Sequence, residues 1–116
     1  MRLLSLGLSK LVFLLAVVCL PAMAATAATK LVDTGNIFFT DVSSNTSNPA
    51  ITTINVGDTV QWDWVNGTHS TVSGSCPGGN CSPDGLWNNP ITFQNTSFSR
   101  TFNTPGTYSY YCIPHL

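Results

Sequence analysis

Charge is scarce in this sequence. Its 116 residues include four lysines and arginines, five aspartates and no glutamate. No basic stretch exists to neutralise a run of phosphates or to settle on an anionic bilayer, which argues against nucleic acid and anionic membrane as partners. Histidine is scarcer still, with His69 and His115 the only two. Helical periodicity is missing outside the first 24 residues, and no internal repeat occurs, so nothing points to a helical architecture. The one long apolar run, Leu11–Leu20, is about half the roughly 20 residues that a membrane-spanning helix requires.

That run has the flanks of a secretory signal peptide. Arg2 and Lys10 precede it, and Ala22-Met23-Ala24 forms a small-x-small cleavage site. Cys19 follows bulky Val18, unlike a lipid-attachment cysteine. Cleavage before Ala25 makes the protein exported: periplasmic if bacterial, otherwise secreted, with no membrane insertion afterwards. The expected layout is signal peptide 1–24, an N-terminal segment 25–35 and one domain over 36–116. The mature chain keeps Lys30 and Arg100 against Asp33, Asp41, Asp58, Asp63 and Asp84, a net charge near −3. A domain of this size buries a modest core and gains from a disulfide or metal staple.

Three cysteines remain after cleavage, an odd number for an oxidising compartment. Pairing Cys76 with Cys81 closes a tight loop over Pro77-Gly78-Gly79-Asn80 and leaves Cys112 for a metal. A zinc site on Cys76 and Cys81 is disfavoured, because no second pair exists to complete four ligands.

Short alternating runs broken by Gly, Pro, Asn and Ser predict an all-β domain. Strands are expected over 36–42, around Ile54 and Val56, over Val60–Trp64, over His69–Val72, over Phe98–Phe102 and over Thr107–Cys112. Ser43–Pro49 and 74–90 read as loops. In the Phe98–Phe102 segment Arg100 shares the parity of two phenylalanines, so it either lies at the sheet rim, snorkels, or sits on a bulge. In the last strand Tyr108, Tyr110 and Cys112 share a face, which turns the sulfur inward. Regular short strands with turn signals indicate a β-sandwich or barrel.

The chemistry concentrates at the end of the chain, in Tyr110-Tyr111-Cys112-Ile113-Pro114-His115-Leu116. A thiolate and an imidazole stand three positions apart on a loop stiffened by Pro114, and His69 opens a strand upstream. Two histidines and one cysteine form the trigonal set of copper electron-transfer sites, which usually add a weak axial Met. Taken alone, a cysteine and a histidine three apart are a weak motif, and a loop histidine with a buried core thiol is the plain alternative.

The pattern as a whole is specific. Gly57-Asp58-Thr59-Val60-Gln61-Trp62, Thr68-His69-Ser70-Thr71-Val72 and Phe102-Asn103-Thr104-Pro105-Gly106-Thr107-Tyr108-Ser109-Tyr110-Tyr111-Cys112-Ile113-Pro114-His115 resemble the plastocyanin-type cupredoxin family over residues 36–116. The resemblance implies a Greek-key β-sandwich holding one type 1 copper, with His69, Cys112 and His115 as metal ligands. The family's axial Met and closing strand do not follow His115, so the sequence is expected to be a fragment or truncated product. Ser70 stands where the family often has Asn, whose contacts tie the two ligand loops together.

The implied function is a soluble, monomeric carrier of single electrons, with redox protein partners docking near His115, where Ile113, Pro114 and Leu116 make an apolar surround. Catalysis by copper enzymes with similar domains needs further histidine-rich centres, and both histidines here are already used, so an enzyme is not expected. The competing readings are a copper-binding and handling protein without an electron-transfer role, and a metal-free cupredoxin-like structural domain. The sequons at Asn45, Asn66 and Asn95 carry meaning only in a glycosylating pathway.

Overall fold

A computed structural model describes residues 24–115; the expected signal peptide lies outside the described residues, except for Ala24. Among the described residues, eight strands form two sheets: β1 (Thr29–Gly35), β2 (Phe38–Asp41), β3 (Thr46–Ser47), β4 (Thr59–Trp64), β5 (His69–Ser75), β6 (Ser82–Ile91), β7 (Ser97–Thr101) and β8 (Tyr110–Tyr111). The first sheet runs β3-β2-β1-β4-β7 and the second β6-β5-β8. Two 3-10 turns, Pro77–Gly79 and Ile113–His115, are the only helical segments among the described residues. None of the described helices is long and apolar enough to cross a membrane.

The core lies between the sheets. Val32, Val60 and Trp62 project from the first sheet against Trp87, Ile91 and Phe102. Trp62, 1% exposed, is the hub: its ring lies 5.6 Å from Trp87, 5.7 Å from Phe98 and 5.3 Å from Tyr110. This follows from the period-2 pattern Val60-Trp62, which places both side chains on the inner face. Arg100 takes the snorkelling option. Its guanidinium lies 5.2 Å over the Trp87 ring and 5.7 Å from Phe102, and donates to the Leu86 carbonyl at 2.9 Å. Its strand parity therefore matches its aromatic neighbours without a buried bare charge.

Several boundaries differ from expectation. Residues 29–35, expected to precede the domain, form β1, the middle strand of the larger sheet. It pairs antiparallel with β2 and parallel with β4, with Thr34 opposite Trp64. The first strand is not continuous over 36–42, because Asn36 and Ile37 both have left-handed φ (51° and 67°) and turn the chain from β1 into β2. Ile54 and Val56 belong to no strand. Ile54 packs against the core while Val56 is 60% exposed, and Gly57 N–H donates instead to the Phe102 carbonyl. The Ser43–Pro49 loop contains the two residues of β3, and the last strand shortens to Tyr110–Tyr111.

The largest correction is β6, the longest strand, over residues expected to be loop. Its Pro83 and Pro90 are tolerated because β6 is an edge strand, with one side free of ladder pairing. Its pairing slips between Val72 and Gly74 of β5. Gly74 is required there. Its φ is 126°, and a Cβ would stand 2.8 Å from Pro83 Cα. The expected Cys76–Cys81 disulfide is present, closing the loop between β5 and β6, and Cys112 remains free and buried.

Candidate metal centre

His69 opens β5, and Cys112 follows β8, which pairs with β5 through Val72 opposite Tyr111. That pairing brings residues far apart in sequence to one end of the sandwich. His115 closes on Cys112 through the short 3-10 turn, its own N–H donating to the Cys112 carbonyl at 3.3 Å. Cys112 Sγ lies 3.3 Å from His115 Nδ1 and 3.8 Å from His69 Nδ1. The donor atoms of these three residues all lie within 4.8 Å of one another. His69 is 4% exposed and Cys112 9%, whereas His115 is open to solvent.

Each donor is oriented by something outside the cluster. His69 Nε2 lies 2.7 Å from the Asn66 carbonyl. A carbonyl only accepts, so Nε2 carries the proton and Nδ1 presents its lone pair toward Cys112. Burial pushes the His69 pKa down, outweighing the Asn66 bond that favours the cation, and His115 adds to the downward push. The ring is thus held neutral, as ligation requires. Burial likewise pushes the Cys112 thiol up, opposed by the Ser70 main chain and hydroxyl and by the His115 main chain.

Ser70 sits at the junction. Its N–H donates to Cys112 Sγ at 3.4 Å, and its hydroxyl oxygen accepts from Ile113 N–H at 2.9 Å. One serine therefore ties β5 to the loop bearing Cys112 and His115. The link that the family often makes with asparagine is made here by a shorter side chain. Gly67 completes the setting: with φ of 76°, it has no Cβ to stand 3.0 Å from His69 Nε2.

The donor set fits a thiophilic, imidazole-binding ion such as copper. The structure brings together all three residues singled out from the sequence. What sequence reasoning missed is Asn66, legible as the turn residue of Asn66-Gly67 but not as the acceptor that orients His69. Nothing in a sequence marks a main-chain carbonyl for such a role.

A two-sheet β-sandwich with a His–Cys–His cluster at one end defines a cupredoxin-like architecture. Among curated proteins, the chain is similar to plastocyanin from Prochlorothrix hollandica, 36% identical over 110 residues covering 93% of this chain and 80% of that protein. The chain belongs to the plastocyanin family of cupredoxins. No protein-family model matches it, and no solved structure does.

Proposed function

We propose that this protein is an exported, monomeric electron carrier that binds one type 1 copper through His69, Cys112 and His115 and is not itself an enzyme. The observation that carries the reading is the cluster itself: one nitrogen from each imidazole and the Cys112 sulfur, all within 4.8 Å of one another. Copper bound there supplies a one-electron couple and, through the thiolate, an intense visible charge-transfer absorption. The protein supplies everything else. Asn66 fixes the buried imidazole, Ser70 fixes the sulfur and its loop, and the paired sheets resist rearrangement between oxidation states.

The division between a buried and an exposed histidine supports transfer of electrons at His115. Four loops surround that end: the β1–β2 turn, 65–68, 92–96 and 112–115. They contain no charged residue, and they expose Ile37, Val65, Phe93 and Ile113, with Phe93 69% exposed. Redox proteins with an apolar, uncharged rim around their own cofactor would fit this face, as the centre of a docking patch is commonly depleted of charge.

Titration of the purified chain with Cu(II) tests the reading. One equivalent should produce the thiolate charge-transfer band, and Cys112→Ser should abolish it with the far-ultraviolet circular dichroism unchanged. Absence of the band in the parent protein, or its full retention in Cys112→Ser, would overturn the ligand assignment.

A further inference from the structure

The acceptor that orients His69 sits on an exposed turn. Val65, Asn66, Gly67 and Thr68 are all open to solvent, so burial does not hold the Asn66 carbonyl in place. Hydrogen bonds do. Val65 N–H donates to the Thr34 carbonyl at 2.9 Å, and the Trp64 indole donates to the Gly67 carbonyl at 2.8 Å. Two further bonds reach Asn66 itself, both from Asn36: Asn36 N–H donates to Asn66 Oδ1, and Asn66 Nδ2 donates to Asn36 Oδ1, each at 3.1 Å.

Asn36 and Ile37 form the tip of the β1–β2 hairpin, both with left-handed φ. Asparagine tolerates that region, but a β-branched residue is strained there, and Asn-Gly is the relaxed solution for a two-residue hairpin turn. The reciprocal pair with Asn66 supplies a local restraint that holds this tip against the strain. The same pair connects β1, through the turn before β5, to the imidazole.

We propose that Asn36 is a positioning residue for the metal centre: it fixes Asn66, whose main-chain carbonyl fixes the His69 ring with Nδ1 toward Cys112. The metal-loaded part of the test rests on the ligand assignment above; the metal-free part does not.

The metal-free test follows exchange of the His69 Nε2–H with water by NMR on the full chain labelled with nitrogen-15. Asn36→Gly keeps the left-handed backbone and the main-chain donor but deletes the acceptor for Asn66 Nδ2. Exchange should quicken by roughly two- to tenfold, the change that one net hydrogen bond carries. Asn36→Asp retains an acceptor and should bring the rate back to within about twofold of the parent, well inside the net worth of one such bond. Main-chain amides of Ser70–Ser73 should be unchanged throughout. Unchanged imidazole exchange in Asn36→Gly would overturn the proposal, as would equal quickening of the β5 amides, which signifies general loosening. In the Cu(II)-loaded protein, Asn36→Gly should alter the ratio of the charge-transfer bands, and an identical spectrum would also overturn it. If the chain takes up no copper, the ligand assignment fails while the exchange measurement still decides the role of Asn36.

Discussion

Replacing Ser70 with alanine isolates the tie between the two ligand-bearing segments. The substitution removes a single oxygen, the acceptor of Ile113 N–H at 2.9 Å, and leaves the main-chain donor to Cys112 in place. Without metal, the 112–115 loop can shift and return the Ile113 N–H to water, so the cost there is small. With metal bound, Cys112 and His115 are both anchored and the loop cannot adjust, leaving the N–H poorly satisfied. The difference is about 1 kcal/mol, the net worth of one such bond, and it falls on the loaded state. Metal affinity should therefore weaken roughly three- to tenfold. Competition against a chromophoric chelator of known affinity measures this directly, with Ser70→Thr, which keeps the hydroxyl, as the control. Affinity of Ser70→Ala within about twofold of the parent, or an equal loss in Ser70→Thr, would refute the argument that the hydroxyl couples the two segments.

Three other outcomes follow from the same geometry. Asp41 is fully buried, and its carboxylate accepts from Ser43, from Ser44 twice and from Thr52; burial raises its pKa, but these bonds outweigh that and hold it at about 2, below the usual 3.8. Its ionised form thus contributes about 2 kcal/mol of stability above pH 4, lost as pH falls toward 2; urea unfolding should show Asp41→Asn destabilised by about that amount at pH 7, with the gap closing in acid. Burial pushes Tyr110 up to about 12, and its hydroxyl has no hydrogen-bond partner among the described residues. Stability contributed by the neutral phenol is present below pH 10 and lost as pH rises toward 12, so Tyr110→Phe should match or exceed the parent at pH 7 and gain on it across that window. Phe93→Asp should slow electron self-exchange in the copper-loaded protein at least about tenfold, since two such faces would meet with like charges; an unchanged rate by NMR line broadening would remove this face from the docking surface.

The fold was legible where side chains alternate against a core and illegible where backbone context decides. Val60 and Trp62 announced β4 because each inward position is apolar. β6 was hidden because an edge strand accepts Pro83 and Pro90 and buries little besides Trp87 and Ile91. β1 carries no clear strand signal because its inward positions include Thr34, a buried polar residue, which breaks the alternation at the point that would reveal it. The opposite holds at Ile54 and Val56, whose spacing mimics a strand although neither has a pairing partner in the sheets. Composition reports what a segment can bury, whereas strand pairing depends on which edge lies beside it.

The His–Cys–His cluster was easier to read than the strands because its chemistry is sparse. With two histidines in the chain and, among the described residues, one thiol outside the disulfide, few combinations existed, and the order of residues around Cys112 narrowed them further. What escaped the sequence is the support around the cluster. The acceptor for His69 is a main-chain atom, and its restraint comes from a hairpin tip that has no ligand character. Ser70 was visible as a departure, yet only the structure shows that its hydroxyl faces Ile113. Donor identity decides which ions the site suits, whereas those non-ligand contacts decide how rigidly the donors are held. A carrier depends on the second property as much as the first, because rigidity limits the rearrangement that accompanies each electron. Substitutions at Ser70, Asn36 and Asn66 therefore probe the function more sharply than substitutions of the ligands, which would remove the site outright.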